Sequence, residues 1–479
     1  MWETLWVDFL APLALLLSPL LSLAASIHIL LTKEDVRAAI GWIGMVWLVP
    51  FAGVALYFLL GINRVARRAR RGARSRPLPA GRTEPAGGIT LREKRMTNLA
   101  RLGAALTGAP LLALRSCEPL EEGDEAYPAM LEAIDRAQRR VWLESYIFDW
   151  DEIGARFAEH LLLARQRGVD VRILLDGVGA LGTPRRLARM GLKAAAFHPL
   201  SPRHPAIFNL RCHRKLLIAD DTAFLGSMNI SARHLSTRPH PRRSRDVMFR
   251  IEGEIVAGLG ENFAQDWIWQ TGEDLPEGLL RAGAEEAARQ TGSQEAPQGW
   301  ARVVADGPDR ELRILAWMFD AALSSAQRSV AVLTPYFVPD RDLVASLGQA
   351  ALKGVDVDIY LPEKSNQPLV DLASRALWPE LLALGCRIHL TPRPMDHSKL
   401  MVVDGQWAMI GSSNWDLRSL RLNFELNAEI YGRRAVRVIA DCIARHARTA
   451  RPLPASWGRT LPVWRRLGYR AAWLLTPYL

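Results

Sequence analysis

The feature that most constrains the fold is an internal repeat in the later part of the chain. Residues 133–154 (AIDRAQRRVWLESYIFDWDEIG) lead to ARQRGVDVRILLDG, and residues 322–343 (ALSSAQRSVAVLTPYFVPDRDL) lead to AALKGVDVDIYLPE. Each copy predicts an amphipathic helix, a strand, a second helix and an apolar strand. Strands that alternate with helices are typical of a largely parallel sheet covered on both faces. The repeat therefore predicts an α/β protein with two half-domains, at residues 110–270 and 299–445, joined by a polar connector at 271–298.

Each half-domain ends in the same polar motif, HxKxxxxD followed by GSxN. The interval from the histidine to the asparagine is sixteen residues in the first copy and seventeen in the second. Alternate side chains of a strand point to the same face, so the histidine and the lysine of each copy should lie together at one end of a sheet. A single copy would be typical of an ordinary surface strand, but two copies at matched spacing indicate a functional site. The predicted members of this site are His213, Lys215, Asp220, Asn229, His397, Lys399, Asp404 and Asn414.

These residue types suit phosphoryl transfer. A neutral imidazole is a nucleophile and its protonated form is an acid, while lysines and asparagine amides can bind a charged phosphoryl group. A phosphodiester could then be opened in two displacements through a phosphohistidine. The sequence shows no carboxylate trio and no His/Cys cluster, so neither a metal nor a cofactor is expected. Asp220 and Asp404 follow apolar strands, and this position by itself favours a structural role for both.

Each histidine also needs a carboxylate to fix its tautomer. Aligning FRIEG at residues 249–253 with AEIYG at residues 428–432 sets Asp246 opposite Glu425. We predict that these two acids orient the histidines. The alternative is that they are ordinary surface acids.

Local charge predicts different roles for the two histidines. His213 stands beside Arg211 and Arg214, and positive charge lowers the pKa of an imidazole and favours its nucleophilic form. His397 follows Asp396, and negative charge favours the protonated form. We therefore predict that His213 is the nucleophile and that His397 is the general acid and then the general base.

Two long apolar runs stand at the start of the chain. Residues 5–31 contain one charged residue, Asp8, and residues 38–62 contain none. Each run exceeds the roughly 20 residues that a helix needs to cross about 30 Å of hydrocarbon. They predict a transmembrane hairpin at residues 1–62, with a pair of buried core helices as the alternative. Seven arginines at residues 64–76 predict that this flank stays in the cytoplasm and attracts anionic headgroups.

The chain carries 61 lysines and arginines against 50 acidic residues, which gives a net charge of +11. This excess suits an anionic partner, either a lipid surface or nucleic acid. Basic residues enrich the predicted linker at residues 63–109, which includes a flexible tether at 72–90, and the tail at 446–479. The tail predicts an interfacial amphipathic helix, with a closing helix packed on the domain as the alternative. Four separated cysteines without a CxxC pair argue against a disulfide framework and a zinc ribbon, and Cys212 is predicted to be a packed core thiol.

The paired motifs resemble those of the phospholipase D superfamily. The segments YIFDWDEIG, TPYFVPD and GSSNWDLRSLRLNFELNAEI, with the N-terminal hairpin, resemble the bacterial cardiolipin synthases of the phospholipase D type. This resemblance implies two α/β/α sandwich halves that are related by pseudo-twofold symmetry and share one active site. It also implies that both motifs are catalytic throughout, Asp220 and Asp404 included. One departure is Asn366 in KSNQPLV, where the resemblance leads us to expect an acidic residue.

The activity implied by the resemblance joins two phosphatidylglycerols into cardiolipin and glycerol through a covalent phosphatidyl-histidine, with His213 as nucleophile. The expected partners are anionic phospholipids at the bacterial cytoplasmic membrane, where a multi-pass protein would face its catalytic domain to the cytoplasm. The residues alone leave phosphatidylethanolamine open as a donor and leave the oligomeric state open. A phospholipase D-type hydrolase, a nuclease and a non-catalytic scaffold are the alternatives. The hairpin argues against a nuclease, so no nucleic-acid partner is expected, and two complete motifs argue against a scaffold.

Overall fold

The computed structural model describes residues 11–33, 36–61, 93–199, 210–276, 296–308 and 313–476. The chain divides into two compact units, Met1–Arg68 and Ala69–Leu479. The predicted arginine-rich flank at residues 64–76 and the predicted tether at 72–90 lie outside the described residues, as does most of the predicted connector.

The N-terminal unit is helical. It contains α1 (Ala11–Thr32), α2 (Val36–Leu48), α3 (Pro50–Leu56) and a π-helical turn at Tyr57–Gly61. Proline lacks a backbone N–H, so Pro50 begins a new helix and divides the second apolar run into two shorter helices. Across the parts of the chain that the structure covers, no helix meets the length and hydrophobicity that a membrane span requires. The structure therefore does not support the predicted two-helix transmembrane hairpin at residues 1–62.

The second unit is built on one mixed sheet that runs through both half-domains. The strands of the first half are β1 (Leu112–Glu121), β2 (Arg140–Ser145), β3 (Asp170–Asp176), β4 (Lys193–Phe197), β5 (Arg211–Cys212), β6 (Lys215–Ala219), β7 (Thr222–Gly226), β8 (Ser244–Arg245) and β9 (Val247–Gly253). The strands of the second half are β10 (Gly299–Asp306), β11 (Ser329–Leu333), β12 (Phe337–Val338), β13 (Asp356–Pro362), β14 (Arg387–Thr391), β15 (Met395–Asp396), β16 (Leu400–Val403), β17 (Trp407–Gly411), β18 (Trp415–Asp416), β19 (Asn423–Tyr431) and β20 (Arg451–Pro452).

Helices cover this sheet. Helix α4 (Lys94–Thr107) precedes β1. The helices of the first half are α5 (Glu122–Arg136), α6 (Glu152–Gln166), α7 (Thr183–Arg189) and α8 (Ile255–Thr271), with a 3₁₀ turn at Ala232–His234. Those of the second half are α9 (Ile314–Ser325), α10 (Arg341–Leu352), α11 (Pro368–Arg375), α12 (Trp378–Ala383), α13 (Leu417–Arg421), α14 (Arg433–Ala447), α15 (Trp457–Thr460) and α16 (Val463–Leu474).

The strand order relates the two half-domains by a pseudo-twofold axis. The order is β4-β3-β2-β6-β7-β9-β1-β10-β19-β17-β16-β11-β13-β14, with β20 beyond β14. The antiparallel pair β1–β10 is the centre of this order. On either side of it, repeat-equivalent strands occupy the same position counted from the centre. The prediction of two α/β halves is therefore confirmed.

The prediction of a largely parallel sheet is wrong. Parallel ladders join β2 to β3 and β3 to β4, and likewise β11 to β13 and β13 to β14. The strands between these ladders pair antiparallel. The physical reason is loop length, since β6 and β7 are joined by only Asp220 and Asp221, and a tight turn can connect only antiparallel neighbours.

Alternation along β2 shows how the sheet becomes covered on both faces. Val141 and Leu143 join the hydrophobic core that contains residues of α5 and α6. Trp142, between them, points to the opposite face and stacks on Phe263 of α8 with ring centroids 5.2 Å apart. A strand buried on both faces must be apolar throughout, which is what the VWL run supplies.

Helix α4 lies within the predicted basic linker at residues 63–109. Its apolar residues Met96, Leu99 and Ala100 recur at helical spacing and are buried in the core of the second half-domain. The segment that precedes β1 is thus part of the folded unit from residue 93 onward.

Candidate active site

Each catalytic motif is anchored to the other half-domain. Strand β5 pairs in parallel with the start of β19, and the backbone N–H of His213 continues this ladder by donating to Phe424 O over 2.9 Å. Strand β15 pairs in parallel with β8, and the backbone N–H of His397 donates to Arg245 O over 2.8 Å. Both histidines are therefore placed beside a carboxylate residue of the opposite half, because Glu425 follows Phe424 and Asp246 follows Arg245.

The carboxylates contact the imidazoles at Nδ1. His213 Nδ1 lies 3.0 and 3.1 Å from the two carboxylate oxygens of Glu425, and His397 Nδ1 lies 2.8 Å from Asp246 Oδ2. All four residues are buried. An Nδ1–H that donates to a carboxylate leaves the Nε2 lone pair for chemistry. The two predicted acids thus each contact one histidine, and the contacts cross between the halves.

The serine of each GSxN sequence supports the carboxylate of its own half. Ser227 donates to Asp246 Oδ1, and Ser412 Oγ donates to Glu425 Oε2 over 2.5 Å. Each carboxylate is therefore held by its own half while it orients the histidine of the other half. Sequence analysis assigned no role to these serines, although their place between the glycine and the asparagine of both motifs was a usable signal.

The two motif lysines are buried beside the histidines. Lys399 Nζ lies 3.2 Å from His397 Nε2, and each lysine donates to the backbone carbonyl of its own motif histidine, over 2.5 Å for Lys215 and 2.6 Å for Lys399. Burial, with the charge of Lys399, lowers the pKa of Lys215 to about 7, and burial lowers the pKa of Lys399 to about 8. Two ammonium groups held this way can bind one phosphate anion from two sides.

The two histidine–carboxylate pairs differ in charge. Burial, with Lys215, Lys399 and Arg418, holds the pKa of His213 well below its usual range, and burial raises the pKa of its partner Glu425 to about 7. Burial and Lys399 lower the pKa of His397 to about 4.

The carboxylate beside His397 behaves differently from Glu425. Burial raises the pKa of Asp246, but the positive charge on His397 outweighs it and leaves that pKa below its usual value. His397 therefore faces a firmly ionised carboxylate, whereas His213 faces one that is only partly ionised near pH 7.

The charged neighbours that the sequence analysis invoked do not act as expected. The Asp396 carboxylate accepts from His446 Nδ1 over 2.5 Å. Arg211 pairs with Asp176 over 3.1 Å, and Arg214 pairs with Asp266. Side chains adjacent in a strand point to opposite faces, so these neighbours of the histidines are neutralised elsewhere. The charge difference between the two histidines comes from Asp246 and Glu425 instead.

Asp220 and Asp404 do not lie with the histidines. Each is the first residue after the motif strand, with φ of 50° and 53°, and each accepts hydrogen bonds from three consecutive backbone N–H groups where the neighbouring strand begins. The donors are those of Gln138, Arg139, Arg140, Gln327, Arg328 and Ser329. Lys215, by contrast, pairs with the last residue of β2, and five strand residues span roughly 16 Å. The hydrogen bonds of these aspartates to the backbone therefore favour a structural role over the catalytic role that the resemblance implies.

The two motif asparagines are buried. Asn229 Oδ1 accepts from the backbone N–H of Ile147 over 3.1 Å, and Asn414 Nδ2 donates to Ser419 Oγ over 3.2 Å. Ser419 in turn hydrogen bonds to Glu425. Phosphate binding by the asparagines stays a prediction.

Aromatic residues that sequence analysis treated as general core lie against the histidines. The Tyr146 ring is 5.1 Å from the His213 ring, and the Tyr336 ring is 6.1 Å from the His397 ring, both in edge-on geometry. Tyr336 also donates to Asn366 Oδ1 over 2.6 Å, so the residue that departs from the expected pattern stands at the rim of this site. The signal that could have found the tyrosines is their shared place shortly after equivalent strands, since Tyr146 is one residue beyond β2 and Tyr336 is three residues beyond β11.

His234, to which sequence analysis gave no role, is the repeat equivalent of Ser419. Its Nδ1 lies 3.2 Å from Ser244 Oγ and 3.7 Å from Asp246 Oδ2. Cys212 is buried and its thiol donates to Glu144 over 2.9 Å. Burial holds the pKa of Cys212 well above its usual value, so it is an inert core thiol.

Comparison with known proteins identifies this arrangement. A family model described as a cardiolipin synthase, PLD-like domain matches residues 130–267 and 319–446, which together are more than half of the chain. The chain belongs to this family. A second family model, described as phospholipase D-nuclease N-terminal, matches residues 20–61.

Individual relatives agree with the cardiolipin synthase family. The chain is 32% identical to a cardiolipin synthase of Geobacillus thermodenitrificans over 455 residues, which cover 92% of this chain and 88% of the relative. It is 33% identical to a cardiolipin synthase of a Geobacillus species over 389 residues, covering 80% and 76% of the two chains. Among solved structures it is similar to phosphatidylserine synthase of Haemophilus influenzae, with a TM-score of 0.60, 16% identity and coverage of 80% and 100%. At that identity the likeness shows the fold alone.

Proposed function

We propose that this enzyme is a phosphatidyltransferase that joins two phosphatidylglycerols into cardiolipin and releases glycerol. The single observation that carries this function is the pair of histidine–carboxylate contacts that cross between the halves, each beside a buried lysine. One such pair can supply a nucleophile and the other an acid–base group for the same phosphodiester. Relatives that match most of the chain are cardiolipin synthases, and this selects the lipid reaction.

The first displacement forms a covalent intermediate. His213 Nε2 attacks the phosphorus of the first phosphatidylglycerol, and the bond from phosphorus to the glycerol oxygen breaks. His397 gives its proton to the leaving glycerol oxygen. Lys215 and Lys399 neutralise the charge that grows on the non-bridging phosphoryl oxygens.

The second displacement releases the product. The primary hydroxyl of a second phosphatidylglycerol attacks the phosphatidyl-histidine, and His397 takes the proton of that hydroxyl. The bond from phosphorus to His213 Nε2 breaks, which frees cardiolipin and returns both histidines to their starting protonation states. Proton balance is therefore maintained over one cycle without an added acid or base.

Charge supports this division of roles. Protonation of His397 places a positive charge against the ionised Asp246 carboxylate, 2.8 Å away. Protonation of His213 would be stabilised less, because its partner Glu425 is only partly ionised near pH 7. His213 therefore suits the neutral nucleophile and His397 the acid.

The deciding experiment is reconstitution of the purified enzyme with phosphatidylglycerol labelled in both headgroup and acyl chains. We expect cardiolipin and free glycerol in equal amounts, and a phosphatidyl adduct on the peptide that contains His213. Phosphatidic acid as the only lipid product would show a hydrolase instead. An adduct on His397 would leave the transferase standing and reverse the roles of the histidines.

We also propose that the enzyme works at the bacterial membrane, with apolar side chains of its N-terminal unit inserted in the lipid. Leucines of α1 and α2 remain largely exposed within that unit, for example Leu30 at 67%, Leu31 at 80% and Leu48 at 84%. An exposed apolar surface of this kind is typical of membrane contact. The arginines at residues 64–76 favour the cytoplasmic side for the half-domains. Extraction of cell membranes at alkaline pH should leave the protein in the pellet, and its release to the supernatant would contradict insertion.

A further inference from the structure

A second cluster of reactive side chains lies outside the phosphoryl-transfer site. It borders a cavity of about 460 Å³ whose lining includes Glu121, Glu122, Arg245, Pro394 and His446. None of the four histidine and lysine residues of the two motifs lines this cavity.

Three metal-ligand atoms converge beside the cavity. His446 Nε2 lies 3.7 Å from Glu121 Oε2, and Cys442 Sγ lies 3.7 Å from Glu121 Oε1. The three donor atoms are all within 4.8 Å of one another. Ligands about 2.0–2.3 Å from a tetrahedral zinc ion stand about 3.3–3.8 Å apart, so the separation of His446 Nε2 from Glu121 Oε2 already matches such a site. Cys442 and His446 are four residues apart on α14, which places them on the same helix face.

The histidine of this cluster has an unused nitrogen. His446 is 1% exposed, and its Nε2 has no hydrogen-bond partner among the described residues. Its Nδ1 lies 2.5 Å from Asp396 Oδ2. In protein zinc sites, a carboxylate commonly accepts from one imidazole nitrogen, and the other nitrogen binds the metal. His446 has this arrangement.

We propose that Glu121, Cys442 and His446 bind one divalent transition-metal ion of the zinc class. A thiolate and an imidazole select zinc or cobalt over magnesium or calcium, which prefer oxygen ligands. Arg445 holds Glu121 Oε1 over 2.6 Å and leaves Oε2, the oxygen that faces His446, for the ion. The fourth coordination position faces the cavity, where water can occupy it. Because the ion binds a thiolate and a neutral imidazole, binding releases the Cys442 thiol proton and the Nε2 proton of His446.

The position of the cluster implies a bracing role for the ion. Asp396 immediately precedes His397, and the backbone N–H of Glu122 donates to Asp246 O over 2.8 Å. An ion on Glu121 and His446 would therefore fix two segments that carry the general acid and its carboxylate. The ion takes no part in phosphoryl transfer, and the site is independent of the lipid that the enzyme uses.

Cobalt binding to the full-length protein tests this site. After chelator treatment and dialysis, Co²⁺ should saturate at one ion per chain and show a thiolate-to-cobalt charge-transfer band, and Zn²⁺ should displace it. Cys442→Ser should abolish the band, whereas Cys386→Ser, which changes another buried thiol, should retain it. Asp396→Asn should weaken affinity about 10–100-fold, as loss of an outer-shell carboxylate does elsewhere.

Two outcomes would overturn the site. One is the absence of saturable Co²⁺ binding to the wild-type chain, and the other is a cobalt spectrum without a thiolate band. His446 would then be a buried imidazolium that ties Asp396 to Glu121, because the Asp396 carboxylate outweighs burial and raises the pKa of His446 to about 12. The wild-type spectrum decides between these alternatives even if Cys442→Ser fails to fold.

Discussion

At the scale of single residues, Asp246 and Glu425 occupy equivalent places in the two halves but carry different charge. Both are buried and both contact a histidine Nδ1. Asp246 stays ionised, while burial raises the pKa of Glu425 to about 7. Burial lowers the pKa of both histidines, but the ionised Asp246 stabilises the protonated form of His397 more than Glu425 stabilises that of His213.

Neutralising each carboxylate in turn should have unequal effects. Asp246→Asn removes a full negative charge from beside His397, so the acid form becomes harder to reach and kcat should fall about 100- to 1,000-fold. Glu425→Gln replaces a partner that is only partly ionised, so kcat should fall less, about tenfold at pH 7. Steady-state kinetics on phosphatidylglycerol vesicles would measure both. Asp274→Asn, which changes an exposed carboxylate, serves as the control. Equal losses, or a larger loss for Glu425→Gln, would contradict the charge difference.

The sequence was sufficient to find the residues of the site but not their partners. The motif spacing identified both histidines and both lysines, and repeat alignment identified Asp246 and Glu425. The crossing of the pairs could not be predicted, because it depends on ladders between segments 151 and 212 residues apart. The same holds for the cluster at Cys442, whose partner Glu121 is 321 residues away.

At the scale of secondary-structure elements, Asp404 fixes the start of β11 to the end of β16. Its side chain accepts from the backbone N–H groups of Gln327, Arg328 and Ser329 and pairs with Arg95 of α4. Burial raises the pKa of Asp404, but Arg95 and the backbone groups outweigh it and leave that pKa below its usual value. The residue is therefore a structural anchor of the second half.

Asp404→Asn should lower stability without removing activity. Loss of charge-assisted hydrogen bonds at a buried position should reduce the free energy of unfolding by about 2 kcal/mol, measured by urea denaturation in detergent. Because the pKa of Asp404 is lowered on folding, its contribution is present above about pH 4 and is lost as pH falls further. The difference between wild type and variant should shrink accordingly. A variant that folds normally but has no activity at low temperature would contradict the anchoring role.

The closing helix α16 presents an apolar row to the solvent. Trp464 and Leu467 are 66% and 65% exposed, while Ala472 of the same helix is buried against the domain. Arg465, Arg466 and Arg470 are exposed around this row. Apolar residues flanked by arginines are typical of helices that lie in the interface of an anionic membrane.

Leu467→Glu should therefore weaken attachment to lipid. Each buried leucine contributes about 2 kcal/mol, so activity on anionic vesicles at low lipid concentration should fall about tenfold or more. Activity on short-chain phosphatidylglycerol in detergent micelles should change little, since attachment is no longer needed. Leu181→Glu places the same charge at another exposed leucine and should leave both activities unchanged. Equal losses on vesicles and micelles would contradict membrane docking by α16.

Helices and strands were predicted most reliably where the local residue pattern determines them. Helix–strand alternation in the repeat gave the two halves, but it suggested a parallel sheet because it could not reveal the antiparallel strands β1, β6, β7 and β9 inserted at the centre. Hydropathy alone predicted two spans at residues 1–62, whereas Pro50 divides the second run into shorter helices. In both cases a few residues at which an element ends determined the structure, whereas the prediction rested on the average composition of the whole segment.

At the scale of the whole molecule, the site is buried because two halves close over it. Neither half alone contains a complete histidine–carboxylate pair. Closure also brings Lys215 and Lys399 within range of each other, so burial and mutual repulsion together depress the pKa of Lys215. Binding of an anionic phosphate relieves this repulsion. The pseudo-twofold arrangement of the two lysines therefore favours binding of phosphodiesters.

The closure of the two halves predicts that kcat/KM decreases at a lower alkaline pH than ordinary lysines would give. The pKa values of Lys215 and Lys399 are lowered to about 7 and about 8, so positive charge is lost from the free site as pH rises through this range rather than near pH 10. Because kcat/KM reports the free enzyme, kcat/KM for phosphatidylglycerol should begin to fall above about pH 7 and should fall more steeply than one ionisation allows above about pH 8. Lys215→Arg keeps its charge at high pH and should move this decrease to higher pH while lowering the maximum, because a guanidinium does not fit the ammonium position. Lys353→Arg, at an exposed position, should leave the profile unchanged. A kcat/KM that stays level to pH 10 would show that closure of the two halves leaves both ammonium groups fully charged, and the two lysines would then not be coupled across the pseudo-twofold axis.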